Sequence, residues 1–246
     1  MNIILSGACG RMGHQVAEQA KIAGLSIVCG VDNRSNLSDF SFPVYSAFSE
    51  VNEKGDVIID FSSASALPDT LAYALAHSTP VLLAATGYTE NDLQLIHDAS
   101  KQIAIFKSAN MSIGIQALKV LAKRAAMMLE GFDIEIIEKH HNQKADAPSG
   151  TALLLLDAVK SDDSEAVFGR HGTSCKRKEN EIGVHAIRGG TVAGEHEVGF
   201  YGQHEVITIT HSAQNRSVFA AGAIRAAAFL CNQKPGLYDM SDMIQF

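Results

Sequence analysis

The sequence predicts an α/β protein with a parallel sheet in its first part and a mixed sheet in its second. Up to about residue 108, short runs rich in Val, Ile and Leu alternate with amphipathic helical segments. After a long helical stretch, strands with alternating polar and apolar residues follow, and an Ala-rich helix lies near the end. Unbroken apolar strands are typical of a parallel sheet covered on both faces, and alternation is typical of a sheet with one wetter face.

The elements follow from these patterns in chain order. Strands are expected at 2–6, 26–31, 56–61, 81–85 and 103–106, with helices at 14–23, 64–77 and 90–101 between them. A long helix is expected from 113 to about 130, followed by strands at 132–139, 183–188, 196–200 and 206–211 and a helix at 217–231. The loop 169–180 is charged and contains glycine, and we expect it to be mobile. The change of pattern predicts a domain boundary near residue 108.

Composition excludes several classes of protein. The 246 residues carry a formal net charge of −7, which argues against general nucleic-acid binding. No apolar stretch reaches the roughly 20 residues that span a bilayer, and the first residues lack the basic region of a signal peptide. The four cysteines form no CxxC pair, which favours free thiols in a reducing compartment. The sequence therefore predicts a soluble cytoplasmic protein with no membrane or nucleic-acid partner.

A glycine-rich turn follows the first strand. Gly7, Gly10 and Gly13 have the spacing G-x-x-G-x-x-G, and Ala8 stands where the dinucleotide fingerprint G-x-G-x-x-G has its first glycine. Glycines allow a tight turn and a close approach of a pyrophosphate, which then lies on a helix N-terminus. A tight structural turn is the alternative. The strand before it and an acidic residue after it favour a nucleotide loop.

That acidic residue is Asp32, at the end of the second strand. A carboxylate there bonds the ribose 2′-hydroxyl of NAD and repels the 2′-phosphate of NADP. Arg34 follows two positions later and can offset the repulsion. We therefore expect use of NADH, NADPH or both, with a lean to NADH.

Two later turns lie where strand ends should border the same crevice. One contains Ala84, Ala85, Thr86 and Gly87, and the other Ser108, Ala109, Asn110, Met111 and Ser112. Short turns of small residues at strand C-termini are where α/β sheets bind ligands. Ordinary connecting loops explain them equally well.

The densest chemistry lies between residues 138 and 151. His140, His141 and Lys144 are proton donors, with Glu138 and Asp146 available to orient or neutralise them. Because successive side chains of an extended segment point to opposite sides, one histidine is expected to face the chemistry.

The same segment ends in a turn before an apolar helix. Ser149, Gly150 and Thr151 can offer backbone N–H groups and hydroxyls to a carboxylate at that helix N-terminus. A metal half-site at the two histidines is the other interpretation, but no H-x-x-x-H or H-E-x-x-H spacing supports it. We expect no metal and no covalent nucleophile.

These motifs together resemble the dihydrodipicolinate reductase family of lysine and diaminopimelate synthesis over nearly the whole length. The most specific string is His140-His141-x-x-Lys144-x-Asp146-Ala147-Pro148-Ser149-Gly150-Thr151. Other matching segments are residues 7–13, 56–62, 109–112, 188–198, 219–228 and 236–240. One departure is Ala84-Ala85-Thr86-Gly87, where the family has Gly-Thr-Thr-Gly, so one hydroxyl is missing.

The resemblance implies a role for each matching position. Residues Gly7, Ala8, Cys9, Gly10, Arg11 and Met12 would hold the pyrophosphate and Asp32 the ribose. The segments 84–86 and 108–111 would lie along the nicotinamide. His140 and Lys144 match the acid–base positions, and His141, Gly150 and Thr151 the substrate contacts.

The resemblance also implies an architecture and a reaction. A Rossmann-type domain, 1–108, would be completed by 217–246, and 109–216 would form a mixed-sheet substrate domain that builds a homotetramer. The reaction would be hydride transfer from NAD(P)H to a small cyclic dicarboxylate, giving tetrahydrodipicolinate. An aspartate- or homoserine-type dehydrogenase and a non-catalytic nicotinamide sensor are the alternatives, but neither requires the segment 138–151.

Overall fold

The computed structural model describes residues 1–34 and 40–244, so the last two residues of the expected segment 217–246 lie outside it. The chain forms two compact units: Met1–Ser112 together with Arg216–Phe246, and Ile113–Asn215. The predicted fold class is confirmed: one unit contains a parallel sheet and the other a mixed sheet. Within the described residues, no helix is long and apolar enough to cross a membrane.

The first unit is built on a seven-stranded parallel sheet. Its strands are β1 Asn2–Ser6, β2 Ser26–Val31, β3 Val44–Tyr45, β4 Val57–Asp60, β5 Val81–Leu83, β6 Ala104–Lys107 and β12 Gly236–Tyr238. Their order is β12-β6-β5-β4-β1-β2-β3, so the chain leaves β1 in one direction to β2 and β3 and returns on its other side to β4. The strand ends at this reversal are where such sheets bind nucleotides.

Helices cover both faces of this sheet. They are α1 Arg11–Ile22, α2 Leu67–His77, α3 Glu90–Ser100, α6 Ser217–Leu230 and α7 Met240–Met243. Ile4 and Ile58 lie in one core with residues of α2 and α3. On the other face Phe106 meets Phe229 of α6 edge to face, with ring centroids 6.3 Å apart. Burial on both faces explains why these strands are apolar throughout.

The second unit is a five-stranded mixed sheet with helices on one face. Its elements are α4 Ile113–Met128, β7 Asp133–His140, α5 Gly150–Val159, β8 Glu165–Phe168, β9 Glu181–Arg188, β10 Glu195–Tyr201 and β11 Val206–Ser212. The strand order is β11-β10-β7-β9-β8, with β10 antiparallel to its neighbours and the other pairs parallel. Ile136, Val184 and Phe200 pack in one core with apolar residues of α4 and α5. The alternating pattern of these strands follows from this one-sided cover.

The predicted elements are largely confirmed, apart from the start of the first helices and several short elements. The first helix begins at Arg11 rather than at residue 14, because it starts directly from the glycine turn. The short strands β3, β8 and β12 were not predicted. In the loop 169–180, Arg170 Nη1 lies 2.8 Å from Glu181 Oε2, and Arg177 Nη2 donates to the Glu181 carbonyl at 2.6 Å; the mobility of this loop stays a prediction.

Candidate active site

Two positions of the glycine turn between β1 and α1 have no room for a side chain. Gly7 has φ 75°, and a Cβ there would lie 2.7 Å from the Phe61 carbonyl carbon and the Ser62 nitrogen. A Cβ on Gly13 would overlap the carbonyl oxygens of Gly7 and Ala8. The two glycines therefore let the turn pack closely against the loop after β4 and against the start of α1, as the tight turn of a nucleotide loop requires.

A cavity of about 780 Å³ lies along this turn and is bordered by the loops after β1, β2 and β4. Of the residues predicted to bind cofactor, Gly7, Gly10, Arg11 and Asp32 line it. Ala8 is fully buried and, like Cys9 and Met12, is not among the lining residues. The lining also includes residues that the sequence analysis did not single out for this site: Asn33, Phe61, Ser62, Ser63 and Ala66.

Asp32 has its carboxylate oxygens occupied within the first unit. Its Oδ1 accepts from Arg34 N at 2.9 Å and Arg34 Nε at 3.2 Å, and its Oδ2 accepts from Cys9 N at 3.0 Å. Burial alone would raise the pKa of Asp32, but the hydrogen bonds from Arg34 and Cys9 outweigh it and lower the pKa. Asp32 is thus an ionised acceptor at the end of β2, with a cation beside it.

The two predicted later turns lie at the same edge of the sheet. Leu83, the last residue of β5, pairs with Lys107 of β6, and Ser108 N donates to the Leu83 carbonyl at 3.2 Å. Ala84 N donates to the Asp60 carbonyl at 2.9 Å. The segments 84–87 and 108–112 therefore follow adjacent strands, although neither lines the 780 Å³ cavity. Met111 is only 2% exposed, so its side chain belongs to the core.

Asp60 is a buried carboxyl that the sequence analysis did not identify. Its Oδ1 accepts from Ser62 N at 2.9 Å and from Ser62 Oγ at 2.5 Å. Burial raises the pKa of Asp60 despite these bonds. Because Ser62 borders Gly7, Asp60 fixes the loop that closes against the glycine turn. In the sequence, its position at the end of a strand was the only indication of a role for Asp60.

The proton donors of the second unit are organised around Glu138. Glu138 is fully buried. Its Oε2 lies 2.6 Å from His140 Nδ1 and accepts from Arg188 Nη1 at 2.8 Å. Its Oε1 accepts from Arg188 Nη2 at 2.8 Å and from Ser149 N at 2.9 Å. Burial raises the pKa of Glu138, but the bonds from Arg188, His140 and Ser149 lower it overall, so the carboxylate is ionised.

His140 is the last residue of β7 and is 9% exposed. Burial lowers its pKa, and Lys144 and Arg188 add to this effect, whereas Glu138 opposes it. Its ring meets that of His196 edge to face at 5.1 Å. His196 is 3% exposed and its Nε2 lies 3.2 Å from Ser149 Oγ. Burial, with the nearby His140, lowers the pKa of His196 to about 4, so His196 is a neutral packing partner at physiological pH.

Lys144 lies in the loop between β7 and α5. Its Nζ is 2.8 Å from Asp146 Oδ1, and its side chain is 22% exposed. His141 follows the end of β7 and is half-buried, and its carbonyl accepts from Lys144 N at 3.2 Å. The two histidines have different surroundings: His140 is buried against Glu138, and His141 is half-buried at the start of the loop.

The predicted anion turn is a capped helix start. Ser149 is the N-cap of α5, and its Oγ accepts from Ala152 N at 3.2 Å. Because Ser149 also bonds Glu138 and His196, its polar groups are engaged within the unit. Gly150 begins the helix and has no heavy atom within 4 Å of the place where a Cβ would stand. The open side of the turn is therefore at Gly150, with Thr151 next to it.

Arg188 and His196 are members of this cluster that the sequence analysis did not assign. Both reach the cluster through sheet register: β9 brings Arg188 beside His140, and β10 brings His196 beside Glu138. No motif spacing reveals such pairs. Across residues 1–34 and 40–244, no group of three or more His, Cys, Asp or Glu side chains is placed to hold a metal.

The parallel-sheet unit with its glycine turn and the mixed-sheet unit with its His–Lys cluster define a nicotinamide-dependent oxidoreductase. Family models for the dihydrodipicolinate reductase N-terminus and C-terminus match residues 1–111 and 114–244. The chain belongs to the dihydrodipicolinate reductase family. The resemblance seen in the sequence is thereby confirmed.

Individual relatives agree with this assignment. The chain is 51% identical to a 4-hydroxy-tetrahydrodipicolinate reductase of Caldanaerobacter subterraneus, covering 100% of this chain and 98% of the relative. It is 46% identical to the enzyme of that name from Clostridium novyi, covering 99% and 98%. A dipicolinate-bound dihydrodipicolinate reductase from Paenisporosarcina has the same fold, with a TM-score of 0.81 at 21% identity and 99% of both chains covered.

Proposed function

We propose that the chain reduces 4-hydroxy-tetrahydrodipicolinate to tetrahydrodipicolinate in lysine and diaminopimelate biosynthesis, using NADH or NADPH. The full-length relatives carry the name of this reductase. The observation that carries the proposal is the buried Glu138–His140 pair with Lys144 in the following loop. An aspartate- or homoserine-type dehydrogenase would not require the His-His-x-x-Lys run, and the intact cluster argues against a non-catalytic sensor.

The first unit is proposed to hold the cofactor. Gly7, Gly10 and Arg11 line the cavity at the start of α1. Because the N–H groups of Gly7 and Gly10 donate to the carbonyls of Val31 and Gly7, the first turn of α1 would supply the N–H groups for a pyrophosphate. Asp32 would accept the ribose hydroxyl. The turns at 84–86 and 108–111 follow the next strands along the same sheet edge, which suits the nicotinamide half. When bound, the reduced cofactor would supply a hydride.

The second unit is proposed to supply the proton and hold the dicarboxylate. The names of substrate and product differ by one hydroxyl group, so the reaction consumes one hydride and one proton and releases one water. His140 or Lys144 would give the proton that neutralises charge on the substrate as the hydride is added. Gly150 and Thr151 at the start of α5, with His141, would bind a carboxylate. The dipicolinate bound to the Paenisporosarcina reductase is a dicarboxylate of this kind.

Use of both cofactors with a lean to NADH is proposed from the acid–base pair at the end of β2. Asp32 favours a free 2′-hydroxyl, and Arg34, whose side chain is 53% exposed, can turn to a 2′-phosphate.

A homotetramer formed through the second unit is supported by the sheet face opposite α4 and α5. By strand register this face carries Ile137, Ile187 and Val206, of which Ile187 is 49% and Val206 56% exposed. Exposed apolar residues on one sheet face suit contact with another copy of the chain. We place the enzyme in the cytoplasm, where its four free cysteines would stay reduced.

Turnover of the purified protein tests the reaction. NADH and NADPH oxidation would be followed with freshly generated 4-hydroxy-tetrahydrodipicolinate, called the synthase product below after the enzyme used to make it, with aspartate semialdehyde and with a set of keto acids. We expect oxidation only with the synthase product. Equal or faster turnover of another substrate, or none with the synthase product, would overturn the proposal.

A further inference from the structure

Glu138 joins three parts of the second unit that the proposed function assigns to different tasks. It touches the proton donor His140 through Nδ1, and the N-cap of α5 through Ser149 N. Through Arg188 it also touches the loop that carries Lys144, because Arg188 Nη2 donates to the Asp146 carbonyl at 2.6 Å. One buried carboxylate thus contacts the proton donor, the N-terminus of α5 and Arg188, the residue that bonds the loop of Lys144.

The geometry determines which nitrogen of His140 carries a proton in the neutral ring. Glu138 is ionised and can only accept, so Nδ1 must donate to it. Nε2 then has the lone pair. Among the described residues no hydrogen-bond partner of Nε2 is found, and the ring edge carrying Nε2 and Cδ2 lies next to Gly194, where a Cβ would stand 3.1 Å from Nε2. Gly194 leaves the space that this nitrogen needs.

Arg188 makes the arrangement rigid. Its two terminal nitrogens bond the two oxygens of Glu138 in parallel, which fixes the plane of the carboxylate. With both oxygens held, the Oε2 that meets His140 cannot rotate away. Removing the carboxylate charge would leave the Arg188 cation partly buried without its counter-ion, and would free the His140 ring to adopt the other tautomer.

We propose that Glu138 is a positioning residue that holds His140 in its Nδ1–H tautomer. Nε2 is then the atom that takes up a proton, forming an imidazolium beside the Glu138 carboxylate, and gives that proton to the substrate. This inference rests on the proposed function for the role of His140. It adds that Nε2 is the atom of His140 that transfers the proton. It also adds that Glu138, which is fully buried, determines this. Arg188 is a second positioning residue, because it orients Glu138 and bonds the loop that carries Lys144.

The tautomer can be measured directly on the full-length protein. In a long-range ¹H–¹⁵N correlation spectrum at a pH where His140 is neutral, we expect a protonated Nδ1 and an unprotonated Nε2. The signals are assigned by their loss in His140→Gln. A neutral His140 protonated on Nε2 would overturn the inference, and this readout does not depend on any variant of Glu138 folding.

Kinetics test whether Glu138 acts through His140. Glu138→Gln should lower kcat by about 10- to 100-fold while the KM for NADH stays within about twofold. When Glu138→Gln is added to His140→Gln, kcat should fall by less than about a further threefold, because the ring that Glu138 positions is already absent. An equal loss in both backgrounds would mean that Glu138 does not work through His140.

Glu135→Gln is the matched control. Glu135 is on the same strand and also pairs with a histidine, with Oε2 2.7 Å from His185 Nε2, but it is partly exposed and on the opposite sheet face. Its loss should leave kcat within about twofold of wild type, and a loss equal to that of Glu138→Gln would contradict a specific role. Failure of the wild-type protein to turn over the synthase product would instead overturn the proposed function, and the tautomer measurement would still decide the placement of the proton.

Discussion

Arg34 and Asp32 form an ion pair at the end of β2, with Arg34 Nε 3.2 Å from Asp32 Oδ1. Both residues line the 780 Å³ cavity of the first unit. The carboxylate that would bind the ribose of NADH is therefore already held by the cation that would bind the 2′-phosphate of NADPH. Cofactor preference should therefore depend on whether Arg34 pairs with the Asp32 carboxylate or with the 2′-phosphate of NADPH.

Substitution of these two residues should shift cofactor preference in opposite directions. Asp32→Ala removes the ribose acceptor, so KM should rise more for NADH than for NADPH. Arg34→Ala removes the phosphate partner and should raise the KM for NADPH more. Steady-state kinetics with both cofactors measure the two ratios. Unchanged ratios would remove this pair from the ribose site.

Loss of either proton donor should slow the reaction without weakening the cofactor. His140→Gln and Lys144→Met should each lower kcat by on the order of a hundredfold or more, as loss of a general acid does. NADH affinity, measured by fluorescence titration, should stay near that of wild type. His97→Gln and Lys123→Met, at exposed positions on α3 and α4, are the controls. Near-normal kcat in both test variants would contradict the assignment.

The glycine turn should not accept a methyl group at Gly13. A Cβ there would overlap two carbonyl oxygens of the turn, so Gly13→Ala should lower the free energy of unfolding by about 1–3 kcal/mol or more. Urea unfolding measures this. Gly189→Ala, where no heavy atom lies within 4 Å of the added carbon, is the control. A stabilised Gly13→Ala protein, as expected from helix propensity alone, would show that the turn has room.

Buried histidines should make the protein less stable in mild acid. The pKa of His196 falls to about 4 in the folded state from about 6.5 when exposed, so protonation favours unfolding. Its contribution is complete above pH 6.5 and is lost as pH falls to about 4, a change of about 3 kcal/mol. His140 and His211, whose pKa values are also lowered by burial, act in the same direction.

Chemical denaturation at several pH values checks this prediction. The loss of stability between pH 6.5 and 4 should be smaller in His196→Gln than in wild type, because the glutamine takes up no proton. Parallel curves for the two proteins would show that His196 is not buried as a neutral ring.

The sequence predicted what depends on local pattern. The apolar strands of the first unit were found because a parallel sheet buries both faces, and the glycine turn because its conformation excludes side chains. β3 has only two residues and is too short to show a pattern, and β8 is mostly exposed and so has no apolar run. The partnership of Glu138 with Arg188 was not predictable, because it joins residues 50 positions apart through the register of β7 and β9.

A deuterium label in the cofactor follows the hydride from NADH to the substrate. The wild-type enzyme would be given NADH that carries deuterium at both C4 positions, together with freshly generated synthase product, and the reaction product would be analysed by mass spectrometry. We expect tetrahydrodipicolinate that contains one deuterium per molecule. Oxidation of the labelled NADH with an unlabelled product, or no product at all, would contradict it.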